Sequence, residues 1–529
     1  MLTVLVVAPL LVSVILFLFS FSRFGAVVAI LSQVALFVLS VYFFLQARLE
    51  PIVDIVGGYP SVLGIILRMD AVSGALVVMA TAAFLVISVY ACKEKLSRMF
   101  WLCLYIWQTM IIGLFLTRDL FNAFVLIEVS TIVIIIMIMY NRYSRCLYDG
   151  IIYLMTGMIG MMFYLFGLGY LYMMTGALDM DAMAAAMVYL EPEQLVLPYV
   201  LMMTGLGFKA ALMPVFSWLP KVRPIPRSPS PVAAILSGIH VKTLVFLIIQ
   251  INDMFPMIDS SVMFIVLGVM TAIGAVFMAL SQNDIKLILA YSSIAQVGLI
   301  IVGLQLDGEY ARMGSIYHMI NHALFKTVLF LSSGMIIEMY NTRDIRKIRG
   351  LWRGSKVLSI IVALGIGGII GAPFFNGSVS KYFIMADLGM HEPMFWVLSL
   401  INLGTVTVFM RYAVMFLGTP AADIKRRVCG FKVVSVGSLG LLCLGMGVGL
   451  GAVATWLFNS SMTVAMGGYI EKVAIFAISV VAALAIYRYV ISESAAIRRL
   501  ADIDINFRGL AASVGGFFVV VMLFIGILA

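Results

Sequence analysis

Charge is scarce in this chain: 11% of its 529 residues are Asp, Glu, Lys or Arg, against 63% that are hydrophobic. A soluble domain carries roughly a quarter charged residues, and no aqueous core could hold so much apolar surface. A water-soluble fold is excluded, and the solvent must be lipid. Thiols are scarce as well. The five cysteines (Cys92, Cys103, Cys146, Cys429, Cys443) stand singly, with no Cys-x-x-Cys pair and no histidine partner nearby. Iron–sulfur and zinc sites need several such ligands converging on one metal, so neither is expected in this chain. No Gly-x-Gly-x-x-Gly or Walker loop occurs, which argues against a nucleotide site. The chain is therefore expected to hold no cofactor and no metal, and to have no catalytic residue of its own.

The formal charge of +9 does not point to nucleic acid, because the basic residues sit in short loops between apolar runs. That arrangement is a signal of membrane topology. The first apolar run, Leu2 to Phe19, lacks a basic leader and an Ala-x-Ala cleavage site, so it reads as a retained helix.

Long apolar runs are what the chain has in abundance. A bilayer span needs about 20 apolar residues, and by that measure the chain is an all-α integral membrane protein with about sixteen spans. They run over 2–20, 24–46, 70–91, 99–117, 120–140, 150–175, 196–216 and 231–250, then 259–281, 287–305, 313–337, 357–388, 394–418, 433–457, 471–491 and 509–528. The acidic stretch 178–192 is too short to cross and reads as a loop or surface helix. An even number of spans puts both termini on one side. Loops on the opposite side then hold twenty-four basic residues, among them Lys93, Lys95, Arg98, Lys221, Arg223, Arg227, Lys286, Arg343 to Lys356, Lys425 to Lys432 and the 488–508 group. The terminus side holds five: Arg48, Arg68, Arg118, Arg312 and Lys472. The expected topology is a multi-pass protein of the cell membrane, with both termini outside and the basic loops in the cytoplasm.

Five basic residues remain inside spans: Lys209, Lys242, Lys326, Lys381 and Arg411. Lys209 lies in a helix interrupted between Gly205 and Pro214, and Lys381 in one interrupted between Gly367 and Pro373. Each interrupted helix is the fourth of a five-helix set, 99–250 and 259–418. Five is odd, so the sets run in opposite directions. Two inverted repeats, each with a broken helix, are the usual pointer to an ion path. Helices 1–92 precede the repeats, and helices 433–529 follow them.

A mid-span charge costs about 2.5–3.5 kcal/mol on insertion scales, so four such lysines must face protein, water or a counter-charge. Glu128 is the only carboxylate deep in an apolar run and is the natural partner of Lys209. A lysine whose partner can approach or retreat is a protonation switch. His318, His322 and Lys326 recur at i, i+4 and i+8, so they line one helix face, as a proton relay requires. His240 and Lys242 are two apart and fall on different faces. Lysine and histidine favour protons as the cargo, with sodium ions the alternative, since a sodium site needs several oxygen ligands.

These residues resemble the antiporter-like membrane subunits of respiratory complex I, Mrp sodium/proton antiporters and membrane-bound energy-converting hydrogenases. The matching stretches are Gly57-Gly-Tyr-Pro, Arg68-Met-Asp70-Ala-Val-Ser, Asp119-Leu-Phe-Asn through Glu128, Gly207-Phe-Lys209 through Pro214, and Trp218-Leu-Pro220. Further along come Pro229-Ser-Pro-Val232, Leu236 to Thr243, Asn283-Asp-Ile-Lys286 to Ser293, His318 to Lys326, and Ser378-Val-Ser-Lys381. The resemblance implies that Glu128 and Lys209 form the switch of a first half-channel. It makes Lys242, His318, His322 and Lys326 a lateral hydrophilic axis, and Lys381 the exit toward the outer face. It also implies other membrane subunits as partners, antiporter-like and small helical ones, with a peripheral redox arm holding the iron–sulfur clusters. An Mrp-type assembly would be driven by ion gradients alone. Two features depart from the pattern: Lys221 follows Trp-Leu-Pro where an acidic residue is usual, and two helices lie beyond the usual fourteen.

Overall fold

The computed structural model describes residues 1–18, 23–59, 64–94, 96–141, 144–217, 229–420, 428–460, 462–491, 494–501 and 507–528. The Trp218-Leu-Pro220 motif and the basic residues Lys221, Arg223 and Arg227 lie outside the described residues.

The chain begins with α1 (Thr3–Leu18) and α2 (Arg23–Ala47), then an antiparallel hairpin of β1 (Ile52–Ile55) and β2 (Ile66–Met69). The rest is helical. The first half continues with α3 (Ala71–Ala91), α4 (Arg98–Leu116), α5 (Leu120–Ile138), α6 (Ser144–Thr175), α7 (Met180–Met187), α8 (Pro192–Lys209) and α9 (Ser230–Met254). The second half holds α10 (Ser261–Ser281), α11 (Ile285–Leu304), α12 (Glu309–Tyr340), α13 (Lys356–Ile370), α14 (Asn376–Ile384) and α15 (Pro393–Ala413). After it come α16 (Gly430–Val448), α17 (Gly451–Phe458), α18 (Met466–Ile486) and α19 (Phe507–Leu528).

Among the described residues, thirteen helices are long and apolar enough to cross a membrane. The other three expected spans are α1 at 16 residues, α8 at 18, and α13 with α14, which together make one broken crossing. The acidic 178–192 stretch contains the short helix α7, opened by Asp179, whose carboxylate accepts the amides of Asp181 and Ala182. This is a multi-pass integral membrane protein.

Capping aspartates set where the central helices start. Asp70 and Ser73 form a reciprocal capping box that opens α3 straight after the hairpin, which accounts for the Arg68-Met-Asp70-Ala-Val-Ser stretch locally. Asp119 opens α5 by accepting the Asn122 amide at 2.6 Å, and Asp284 opens α11 by accepting the Lys286 amide at 2.9 Å.

The same two aspartates mark the repeat. Around Asp119, Leu120 N–H donates to Leu178 O at 3.0 Å and Met180 N–H to Arg118 O at 2.8 Å. Around Asp284, Ile285 N–H donates to Arg343 O at 3.0 Å and Ile345 N–H to Asn283 O at 2.9 Å. Each is a single antiparallel bridge, Asp119 to Asp179 and Asp284 to Asp344. Five crossings separate them, so they lie on opposite sides of the bilayer. The helix breaks match too. Leu212 N–H closes onto Gly207 O and Ala372 N–H onto Gly367 O, a five-residue closure in both. Inside each closure stands a residue of positive φ, Ala211 at 59° and Gly371 at 74°, and a further one, Phe374 at 66°, follows the second closure. The two lysines, however, sit on opposite sides of their breaks: Lys209 ends the first half-helix α8, whereas Lys381 lies in the second half-helix α14.

Candidate ion pathway

Lys209 is fully buried, and its Nζ lies 3.5 Å from Glu128 Oε1 across the α5–α8 contact. Its hydrogen bond goes to Thr131 Oγ1 at 2.6 Å, one turn along α5 from Glu128. Beneath the ammonium lies the Tyr153 ring, 5.4 Å from its centroid. Room for it comes from Gly157, where a Cβ would stand 3.1 Å from Nζ. Glu128 keeps 26% of its side chain exposed while Lys209 keeps none, and the Glu128 Oε1 that faces the ammonium is itself buried.

Lys242 follows a π turn at Leu236–His240 within α9. The wider turn leaves the Ser237 carbonyl to accept from Lys242 Nζ at 2.7 Å, a use of an opened helix that π-bulges often serve. His240, at the end of the turn, receives Trp107 Nε1–H at 3.5 Å. The turn meets α12 where a Cβ on Gly238 would stand 3.2 Å from Thr327 Oγ1, one residue past Lys326.

The stripe on α12 is held by α11. Lys326 Nζ donates to Leu289 O at 2.7 Å and also to Ser292 Oγ. His318 Nε2 faces Gln296 Oε1 at 3.0 Å, and its Nδ1 faces Ser380 Oγ at 2.8 Å. Residues 289, 292 and 296 share one face of α11. Between Lys326 and His318 stands His322, fully buried, with its ring 6.3 Å from His318 and edge-on to Phe325 at 5.3 Å. Neither of its ring nitrogens makes a hydrogen bond to another described residue.

Lys381 closes the row. Its Nζ donates to Ile369 O and to Asn402 Oδ1, both at 2.8 Å. Ile369 belongs to the last turn of α13, whose carbonyls lose their helical partners at the break and carry the negative end of the helix dipole. Asn321 and Asn376 exchange hydrogen bonds across the break and tie α14 to α12. Arg411, the fifth basic residue inside a span, instead fastens α15 to the last turn of α10 through Leu280 O and to the loop before α11 through Asn283 Oδ1.

Three further groups meet at the basic-side end of α12 that sequence reasoning did not select. Lys432 Nζ pairs with Glu338 Oε1 at 2.5 Å and with Glu94 Oε1 at 3.3 Å, and lies 4.6 Å from the centre of the Tyr90 ring. Burial pushes the Glu94 carboxyl above its usual range, against the pull of Lys432. Lys432 is 4% exposed; it belongs to helix α16, not to the loop where the sequence places it. Among the described residues, no group of histidine, cysteine, aspartate or glutamate is placed to hold a metal ion.

Comparison with known proteins places this geometry. The profile of the NADH:quinone oxidoreductase/Mrp antiporter transmembrane family matches residues 117–410, which include the row from Glu128 to Lys381. NADH-quinone oxidoreductase subunit N of Desulforudis audaxviator is 31% identical over 369 residues, covering 66% of this chain and 71% of that protein. A Na(+)/H(+) antiporter subunit of Alkalihalophilus pseudofirmus is 26% identical over 419 residues, covering 77% of this chain and 85% of that protein. A chain of the archaeal membrane-bound sulfane sulfur reductase superimposes with a TM-score of 0.81 at 21% identity, covering 90% of this chain and 99% of that one. With its fold, its paired breaks and these matches, the chain belongs to the NADH:quinone oxidoreductase/Mrp antiporter family of antiporter-like membrane subunits.

Proposed function

We propose that this chain translocates protons as a subunit of a multisubunit redox-driven membrane complex of the hydrogenase or NADH/quinone oxidoreductase type. The observation that carries the reading is the row of buried amines and imidazoles. Lys209, Lys242, Lys326, His322, His318 and Lys381 are at most 9% exposed, and among the described residues the one carboxylate paired with them is Glu128, next to Lys209. Static charge so placed costs energy and needs a counter-ion; each of the four lysines has a neutral oxygen within 3 Å that accepts its hydrogen bond whether or not the amine is charged. Glu128 and Lys209 load the proton, Lys242 and the α12 stripe pass it sideways, and Lys381 releases it.

In this reading the basic loops face the cytoplasm and both termini face outward in the cell membrane. The excess of basic residues on one side supports that orientation. The partners are other membrane subunits, antiporter-like and small helical ones, and a peripheral arm that holds iron–sulfur clusters; lipid surrounds the chain, and nucleic acid has no role.

A second reading is a gradient-driven sodium/proton antiporter subunit of the Mrp type. It is favoured by the relative named as such, which aligns with more of this chain than the quinone-linked one does. Gentle purification from the native membrane, followed by mass spectrometry and EPR, separates the two. Soluble redox subunits with iron–sulfur signals support the redox-driven complex. Membrane subunits alone, without clusters, overturn it in favour of the antiporter.

A further inference from the structure

The helices after the matched region include one that reaches back to the exit end of the row. α18 is the least buried of the thirteen spans, yet it turns its one lysine inward. Lys472 is the seventh residue of the helix, about 9 Å from its start at 1.5 Å per residue. A lysine so near the end of a lipid-facing helix can extend its ammonium back to the interface. Here it does not. Its Nζ is buried without a hydrogen-bond partner among the described residues and lies 4.7 Å from the centre of the Phe395 ring.

A cavity of about 60 Å³ explains the direction. It is lined by Lys381, Ser378 and Asn402 on one side and by Lys472 and Ser479 on the other. Lys472 and Ser479 are seven residues apart, so both fall on the inner face of α18. One water needs roughly 10–15 Å³ of such space, so the cavity has room for a short water chain. The same helix also holds the break. Tyr469 Oη accepts Phe374 N–H at 3.0 Å, at the residue of positive φ, and meets Ser378 Oγ at 3.2 Å.

We propose that Lys472 is a second exit group for the proton, supplied by the C-terminal helices, and that this cavity is the release site. The inference rests on the proposed function above. The Lys381 ammonium gives its proton through cavity water to the neutral Lys472 amine, leaving Lys381 as the free amine held by Ile369 O and Asn402. The Lys472 ammonium then releases the proton to solvent on the terminus side and returns to the neutral amine. Two ammonium groups facing one small cavity repel each other, so a new proton reaching Lys381 favours departure of the one on Lys472. Direction is then built into the pair.

The test uses the native complex in inverted membrane vesicles, with proton uptake followed by acridine-dye quenching. Uptake is driven by whichever drives the wild type, an electron donor or an outward sodium gradient made by diluting sodium-loaded vesicles into sodium-free buffer. Lys472→Met is expected to lower the initial rate about tenfold, a barrier change of about 1.4 kcal/mol, with the subunits still assembled. Lys472→Cys is expected to be equally slow and to regain rate when 2-bromoethylamine restores a cationic amine at that position. Wild-type rates in Lys472→Met overturn the proposal. If Lys472→Met does not assemble, the cysteine variant decides, and no gain on alkylation overturns it. Lys209→Ala runs alongside: wild-type transport there strikes down the underlying reading, whereas a defect there with none at Lys472 strikes down this inference alone.

Discussion

Lys209 is nearer to Thr131 than to Glu128: its ammonium lies 2.6 Å from the hydroxyl and 3.5 Å from the carboxylate. The lysine thus has two partners within reach, and the charged one is not in direct hydrogen-bond contact. A switch needs both: a neutral acceptor that holds the amine in either protonation state, and a counter-charge that favours the ammonium. Removing the charge should therefore matter more than removing the hydroxyl. We expect Glu128→Gln to slow coupled proton transport by at least about tenfold, as loss of one member of a buried charge pair costs several kcal/mol. Thr131→Val should slow it by less, near the about 1 kcal/mol of a neutral hydrogen bond. Initial rates in vesicles check the order; a larger defect in Thr131→Val would reverse the assignment of the two groups.

On the α12 stripe, His318 depends on its neighbour for orientation. Gln296 Oε1 faces His318 Nε2 at 3.0 Å, and Gln296 Nε2 donates to Thr405 Oγ1 at 3.1 Å. Gln296→Leu leaves that imidazole nitrogen without its partner, a loss of about 1–3 kcal/mol for a buried polar group. Slower transport in an assembled complex is the expected result, and Gln296→Glu should retain more activity than the leucine variant. Equal rates in the two variants would show that the hydrogen bond does not matter.

The Glu94–Lys432–Glu338 cluster joins α16 to α3 and α12 where these helices meet the basic-side loops. Lys432→Met strands Glu94 in a buried place, and its carboxyl already sits above the usual range because of burial. The thermal midpoint of the detergent-solubilised complex should fall. That deficit should shrink as the pH is lowered, because the protonated Glu94 no longer carries an unpaired charge. Glu338→Gln should cost less, since Glu338 is 54% exposed and Lys432 keeps Glu94. A deficit that grows toward acid pH would contradict the explanation.

Orientation can be read by labelling. Arg353 and Tyr189 are both exposed and lie at opposite ends of the crossings. With the termini outside, Arg353→Cys should react with a membrane-impermeant maleimide only from the cytoplasmic face, and Tyr189→Cys only from the outer face. The reverse pattern would invert the topology.

Much of the fold was legible because lipid imposes length on helices and proteins mark breaks with glycine and proline. The runs Gly205 to Pro214 and Gly367 to Pro373 were readable as interruptions, and the spacing of His318, His322 and Lys326 as one face. What the interruptions free was not readable. Lys381 finds Ile369 O twelve residues back, and nothing local says that this carbonyl is open. The π turn at Leu236–His240 carries no residue signature either, yet it decides what Lys242 touches. Thr131, Gln296 and Asn402 are ordinary polar residues in apolar runs until the folded helices bring them to Lys209, His318 and Lys381. Lys432 and Glu94 are 338 residues apart. Lys472 counted among the terminus-side basic residues because it stands at the very start of the 471–491 run, and only packing against Phe395 shows that it points inward.

The central claim is that the buried lysine row carries the proton, and Lys209 is where it is tested most directly. The measurement is coupled proton uptake in inverted vesicles holding equal amounts of assembled wild-type and Lys209→Ala complex. The account predicts an intact complex with uptake reduced to near background. Wild-type uptake in that variant would mean that protons cross elsewhere, and that the row is structural.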